Sequence, residues 1–424
     1  MRILVFTHYF PPEGNAPATR MHALCKQWHA AGNDVTVITC VPNVPNGVVY
    51  AGYCNHLYQR DTVDGIRIVR VWTYLAPNKG TLLRIVNYLS YMLAAIVAGV
   101  LVGKPDVIVA TSPQFFCAWA GVWVSRVRRV PLILEIRDLW PESIVAVGAL
   151  TNRWLIQLLE WLERRLYATA GHIVTVGEGY RDELRKKGVP AARISLIPNG
   201  IDRDVLFPRP PAAAVCERWG LHDQFVCAYV GTIGMASGLD VVLRAAAELA
   251  ARGRTDIKFL VVGDGAVRAE LERDAAHRGL TNVVFTGRQD KESIPTLLAS
   301  VGVCLVHLKK HPLFATVLPS KIFEAAAMAK PVILGVEGYA AELVQRAGAG
   351  ICIEPENDAQ LVDALIRLAD DRGFAETLGR SGHDYFVAHF DRSVLALQYL
   401  DLIRAAKRTA DGSVRVLGNA PSSP

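Results

Sequence analysis

The chain has 424 residues, of which 51% are hydrophobic and 20% charged; that composition excludes a disordered or fibrous protein, and the length exceeds what one hydrophobic core usually serves, so two domains are expected. Charge is uneven: residues 1–200 hold 21 Lys and Arg against 13 Asp and Glu, and the remainder 25 against 27. A basic first half points to an anionic partner, either a phosphorylated substrate or an acidic membrane surface. Nucleic acid is disfavoured, because the basic residues are scattered and no aromatic-basic platform accompanies them.

In chain order, apolar runs predict strands near residues 2–7, 34–40, 66–72, 106–111, 131–136, 172–176 and 194–197, with helices near 19–31, 82–103, 114–128, 151–169 and 179–187. The alternation resumes at Phe225, with strands near 225–230, 257–262, 282–286, 302–306, 331–335 and 351–353. Strands alternating with helices build parallel sheets covered on both faces, so the fold class is α/β with two doubly wound domains. The turn cluster Pro198-Asn199-Gly200-Ile201-Asp202 marks the boundary, giving a first domain over 1–200 and a second over 201–390. Residues 209–214, rich in Pro and Ala, read as a surface connection. Helical patterns return over 361–369, 374–389 and 393–407, and the tail 411–424 reads as disordered.

Residues 85–103 carry no formal charge and at about 1.5 Å per residue approach the ~30 Å thickness of a bilayer core. A span, a core helix and a helix dipping its outer face into the membrane interface all stand open. The eight Cys sit mostly in apolar runs without a C-x-x-C pair, which fits reduced thiols in a cytoplasmic protein. No basic-then-apolar leader precedes the first strand, so no export is expected.

The most informative stretch is Pro319-Ser320-Lys321-Ile322-Phe323-Glu324 followed by Ala325-Ala326-Ala327. An acid on an Ala-rich turn is costly to bury without a donor, and a Lys at a helix start favours an anion. The pair suits a ligand with a hydroxyl pair for Glu324 and a phosphate for Lys321, as in a nucleotide sugar. A capped surface helix with a Lys-Glu pair is the bland alternative. About 300 residues earlier, the loop of residues 8–18 follows the first strand, and Gly14 there allows close approach of a bound group.

Together with the Ile197-Pro198-Asn199-Gly200-Ile201-Asp202 hinge and the Val262-Gly263-Asp264-Gly265 turn, these residues resemble family four of the retaining GT-B glycosyltransferases. The resemblance covers nearly the whole chain. The Asp138-Leu139-Trp140-Pro141-Glu142-Ser143 run and the Gly231-Thr232-Ile233-Gly234 turn are similar to the bacterial O-antigen and capsule branch typified by N-acetyl-fucosamine transferases. It implies two Rossmann-like domains facing across a cleft, with the nucleotide sugar held mainly by the second. It also implies a C-terminal helix, 391–410, crossing back to the first domain.

By this resemblance Gly14, Gly231, Gly234, Gly263, Gly265, Arg288, Ser320, Lys321 and Glu324 bind the donor, with Glu324 on the ribose. His8, Glu13 and Glu142 are placed with the acceptor, and Lys321, Asp138 and Arg137 with catalysis. Three positions depart from the family pattern. Its diphosphate-binding Arg and Lys are replaced by Thr232 and Ser237, which shifts that role to Lys321 and nearby amides, with Lys309 and Lys310 as weaker candidates. The first of its paired acids is Val317, and its catalytic His is Arg137. With the leaving phosphate as proton acceptor no protein base is needed, and Asp138 or Glu142 is left to orient the acceptor. A structural ion pair between Arg137 and Asp138 is the alternative.

Asp202-Arg203-Asp204 has a metal-binding spacing but lies in the hinge, and His307 and His311 read as loop residues, so no metal or other cofactor is expected. The reading is a cytoplasmic, membrane-peripheral transferase on the inner face of the cytoplasmic membrane. It would use a UDP-sugar, with an N-acetylated deoxyhexose, and a polyprenyl-diphosphate-linked or oligosaccharide acceptor in surface polysaccharide assembly. A UDP-sugar 2-epimerase of the same fold and a non-catalytic nucleotide-sugar-binding protein are the rivals.

Overall fold

A computed structural model describes residues 1–44, 47–76, 81–112, 114–148 and 150–410, with the backbone alone at Thr81 and Leu82. The predicted disordered tail, 411–424, lies outside the described residues. The chain divides into two compact units, Met1–Pro198 together with the chain from Arg392, and Asn199–Asp391.

Unit 1 runs β1 (Arg2–Phe6), α1 (Ala16–Ala30), β2 (Asp34–Cys40), β3 (Tyr58–Val63), β4 (Ile66–Val71), α2 (Thr81–Leu101), β5 (Val107–Thr111), α3 (Phe115–Arg128), β6 (Leu132–Ile136), α4 (Glu142–Ala146), α5 (Arg153–Thr169), β7 (His172–Thr175), α6 (Glu178–Lys186) and β8 (Ile194–Leu196). Its sheet has the order β3-β4-β2-β1-β5-β6-β7-β8, with every neighbouring pair parallel except β3 and β4. The central strands β5 and β6 are wholly buried, which is why they read as continuous apolar runs. β3 escaped the sequence reading because YQRDTV alternates only weakly in polarity. It is an edge strand folded back on β4 through Asp64 and Gly65, both in the left-handed region.

Unit 2 runs α7 (Ala213–Trp219), β9 (Phe225–Val230), α8 (Asp240–Ala251), β10 (Ile257–Val262), α9 (Arg268–His277), β11 (Val283–Gly287), α10 (Ile294–Ala299), β12 (Val303–His307), α11 (Lys321–Ala327), β13 (Val332–Gly335), α12 (Tyr339–Arg346), β14 (Gly350–Cys352), α13 (Asp358–Asp370) and α14 (Arg372–His389). Its all-parallel sheet has the order β11-β10-β9-β12-β13-β14. The segment expected to be a surface connection gives way to α7 at Ala213, because Ala and Glu outweigh the prolines once Pro211 has passed. His307 closes β12 as a buried residue, so its placement in a loop is corrected; His311 is in the loop.

The final helix, α15 (Arg392–Ala410), belongs to unit 1. Trp28 Nε1 on α1 donates to the Ala396 carbonyl at 3.0 Å, and its ring meets Tyr399 edge-on at 5.2 Å. α2 is fixed to the sheet in the same manner. Tyr91 is buried and its hydroxyl lies 2.9 Å from the Ile38 carbonyl, while Gly99 sits so close to Phe6 and Val124 that a Cβ would come within 2.7 and 2.8 Å of them. One side of α2 is therefore core of unit 1, and a helix bonded to β2 and packed on β1 in this way is not a free span. Its other side is open to solvent.

Candidate active site

In unit 2 the chain reverses its direction of winding between β9 and β12, and in doubly wound sheets the crevice at such a point receives the ligand. Three glycines shape it. Gly231 leaves β9 with φ +141°, and Gly263 leaves β10 with φ +135°, where a Cβ would stand 1.9 Å from the Gly231 carbonyl oxygen. At Gly265 a Cβ would stand 2.3 Å from the Ile233 carbonyl oxygen. Backbone therefore packs directly on backbone, with Gly231 N–H donating to Val262 O at 2.9 Å, Ile233 N–H to Asp264 O at 3.0 Å and Gly263 N–H to Gly287 O at 3.0 Å. Gly234 follows, where a Cβ would make an ordinary contact with Thr232 Cγ2 at 3.8 Å, and Arg288 is an exposed residue just after Gly287.

The missing Cβ of Gly231 makes room for Lys321. A Cβ there would lie 2.6 Å from Lys321 Cε. The ammonium sits 4.5 Å over the Tyr229 ring and donates to the Tyr229 hydroxyl at 3.1 Å, which in turn donates to Thr232 O at 2.7 Å. A buried tyrosine thus holds a half-buried cation by its π face and its oxygen. α11 is only seven residues long, so the local positive charge resides on Lys321 more than on the helix end. Ser320 is its N-cap residue, and its side chain makes no capping bond. One turn on, Glu324 shares with Lys321 a small cavity also lined by Ala228, Val230, Leu298, Cys304 and Leu305. Burial pushes the Cys304 thiol up to about 12, with the charge of Glu324 adding to the effect. The Ala face of α11 is buried, and Phe323 meets Phe386 and Phe390 edge-on at 5.2 and 5.3 Å.

Thr232 and Ser237, which stand where the family resemblance leads one to expect a basic pair, serve the loop itself. Ser237 Oγ donates to Gly234 O at 2.5 Å. Of the three lysines considered for the diphosphate, Lys310 is paired with Glu354 and Lys309 is exposed, which leaves Lys321 as the one held against the glycine loop. His307 is the residue that sequence reasoning missed. Glu356 N–H donates to its Nε2 at 2.8 Å, so Nδ1 must carry the proton and donate to Ser237 O at 2.7 Å. Both bonds require the neutral ring, and burial lowers its pKa accordingly, opposed by the bond to Ser237. Its partners are backbone atoms far along the chain, which no residue pattern could announce.

The unit 1 candidates are placed differently. His8 is buried among Tyr9, Tyr88 and Tyr91, and burial lowers its pKa to about 3. Glu13 is buried with its carboxylate accepting from Asn43 N–H at 3.0 Å and Val44 N–H at 3.2 Å; burial pushes it up to about 7 against those bonds. Gly14 is exposed, and a Cβ added to it would have no neighbour within 4 Å. Arg137 donates to Ser112 O at 2.9 Å and Pro17 O at 3.1 Å, and its ion partner is Glu135 at 3.5 Å, not Asp138. Glu135 also holds Arg20 at 3.1 Å, whose other nitrogens donate to the Ile197 and Pro198 carbonyls. Asp138 is pushed up to about 6, chiefly by burial, with bonds from Ser143 and Leu139 lowering it and the charge of Glu142 raising it. Glu142 is joined to Lys187, which also binds the buried Glu163 at 2.6 Å. Among the described residues no three His, Cys, Asp or Glu side chains converge as a metal site.

Two Rossmann-like units of this build define the GT-B glycosyltransferase class. Residues 15–200 match the Glycosyl transferase 4-like domain and residues 217–384 the Glycosyl transferases group 1 domain. The chain belongs to the glycosyltransferases assembled from these two domains. It is 27% identical over 378 residues to WcaI of Escherichia coli strain K12, named as a colanic acid biosynthesis glycosyl transferase, covering 86% of this chain and 91% of that one. It is 29% identical over 291 residues to the alpha-D-kanosaminyltransferase of Streptomyces kanamyceticus, covering 66% and 72%. Among solved structures, HepE of Anabaena in complex with UDP-glucose superposes with a TM-score of 0.71 at 16% identity, covering 96% of this chain and all of the other.

Proposed function

We propose that the chain is a retaining glycosyltransferase that moves a sugar, of the N-acetylated deoxyhexose type, from UDP to a polyprenyl-diphosphate-linked or oligosaccharide acceptor in surface polysaccharide assembly, at the inner face of the cytoplasmic membrane. The observation that carries it is the convergence of Lys321, Glu324 and the glycine-built Gly231–Gly234 loop on the switch-point crevice of unit 2. Glu324 accepts from the ribose hydroxyls, and Lys321 faces the diphosphate with the loop amide of Gly234. Ser320, Gly263, Gly265 and Arg288 complete the donor side. The UDP-glucose held by a protein of the same fold and the polysaccharide role of WcaI support the donor and the pathway.

As the bond from the anomeric carbon to the phosphate oxygen breaks, negative charge grows on the diphosphate, and a fixed ammonium stabilises that state more than the ground state. The acceptor hydroxyl bonds to the same face of that carbon and gives its proton to the departing phosphate oxygen. Asp138 and Glu142 then orient the acceptor. No divalent metal enters the scheme. The family match favours transfer over epimerisation, since an epimerase would change the donor without an acceptor.

Titration calorimetry in EDTA with UDP-, GDP-, dTDP- and ADP-sugars tests the reading. A UDP-sugar is expected to bind tightest and to remain unchanged until acceptor is added. Preference for another base would overturn the donor assignment, and binding or turnover restored only by Mg²⁺ would overturn metal independence.

A further inference from the structure

Three helices of unit 1 lie side by side, with α3 packed between α2 and α5. Each turns an apolar stripe outward. On α2 the stripe includes Leu93, Val97 and Leu101, exposed at 61, 60 and 70%. α3 adds Trp123 and Val127, and α5 adds Trp154, Leu158 and Trp161, of which Trp154 is 75% exposed. Exposed apolar patches on a soluble protein are seldom so large without a partner.

Charge on this face has one sign. α2 and α3 contain no Asp or Glu, and of the two acids on α5, Glu160 is half-buried while Glu163 is buried against Lys187. Lys104, Arg126, Arg129, Arg164 and Arg165 stand exposed at the ends and edges of the stripes. Arg126 and Arg165 lie over the rings of Trp123 and Trp161 at 5.9 and 5.3 Å. Exposed Trp with Arg at its rim and apolar residues behind is the pattern of a surface resting at lipid headgroup depth.

We propose that the outward face of α2, α3 and α5 docks unit 1 on an anionic lipid bilayer. A second copy of the chain is a poorer occupant. A two-fold contact would set this face against itself and bring arginines together with no exposed carboxylate to answer them. An anionic bilayer supplies both the negative charge and the apolar interior. α2 alone would reach it with one stripe and Arg84; the three helices together offer three stripes and a basic margin. This deepens the proposed use of a lipid-linked acceptor, yet vesicle binding requires neither donor nor acceptor. The Lys321→Ala protein should bind vesicles as the unaltered protein does, so failure of the catalytic reading and failure of this surface are distinguishable.

The test is flotation of the full chain with phosphatidylglycerol or phosphatidylcholine vesicles, alongside Trp emission. Binding to phosphatidylglycerol with a blue-shifted emission is expected, weakening as salt rises. The exposed Trp154→Ser/Trp161→Ser pair should lower affinity by about tenfold or more. Arg164→Gln/Arg165→Gln should lower it by about tenfold at low salt and less at high salt. Circular dichroism confirms that each variant folds. The proposal is overturned by absence of binding to phosphatidylglycerol at low salt, by equal binding to both lipids, by folded variants that bind undiminished, or by a dimer of the unaltered protein that the Trp pair abolishes.

Discussion

Both units place a loop at the end of their first strand, and the two loops are made on opposite plans. In unit 1 the loop after β1 is filled by the protein's own polar groups. Glu13 accepts from the backbone of Asn43 and Val44, Arg70 donates to Pro11 O at 2.8 Å, and Arg137 reaches Pro17 O. In unit 2 the loop after β9 is stripped to glycine, with backbone lying on backbone and Lys321 held at its mouth. The charges around the unit 1 loop are committed to architecture; Lys321 at the unit 2 loop is fixed in place but still available to a ligand. A charged residue near a strand end is therefore a poor guide to function until its partners are known.

Removing Lys321 should break the comparison most severely. Lys321→Ala is expected to lower kcat by about 100- to 1000-fold, as loss of a preorganised charge-stabilising group does, with KM little changed. Steady-state kinetics separate the two. A rise in KM alone would make Lys321 a ground-state binder and leave the charge development to another cation.

Glu13 tests the other half. Its carboxyl is pushed up to about 7 from 4.5, so the native protein holds this proton more tightly than the unfolded chain does. Its contribution to stability is complete below about pH 4.5 and is lost as pH rises through 7, a change of about 3 kcal/mol if the whole shift is expressed. Urea unfolding of the unaltered protein and of Glu13→Gln should diverge over that window, the former losing stability relative to the latter. Parallel curves would show that Glu13 titrates as an ordinary surface acid.

The smallest of the three effects sharpens the picture of unit 2. Glu324→Ala should weaken donor binding by about 10- to 100-fold, the range of a lost hydrogen bond to a charged group, while the fold persists. Calorimetry reads it directly, and undiminished donor affinity in the folded variant would remove Glu324 from the ribose.

Legibility in the sequence followed the physics of each element. Buried parallel strands such as β5 and β9 announce themselves as apolar runs, and Gly231, Gly263 and Gly265 mark sharp strand ends, so the sheets and the donor loop could be read in advance. The edge strand β3 could not, because its side chains are only half covered. Lys321 was legible as a charge beside a turn; the Tyr229 ring that holds it, 92 residues earlier, was not. His307 was misplaced because its roles lie in backbone partners at Ser237 and Glu356. Arg137 pairs with Glu135 because the side chains of β6 and its end are arranged by burial, and adjacency in sequence to Asp138 did not decide the matter.

The return of α15 to unit 1 bears on how the chain is made. Unit 2 is continuous in sequence and can close as soon as Asp391 has left the ribosome, whereas unit 1 still lacks Tyr399, Leu400 and Ile403 from its core. At synthesis of about 5–20 residues per second, the passage from Pro198 to Arg392 takes on the order of 10–40 s. Through that interval Trp28 has neither its ring partner nor the Ala396 carbonyl, and the side of α1 that bears it stays uncovered on the nascent chain. The part of the molecule translated first is thus the last to be sealed.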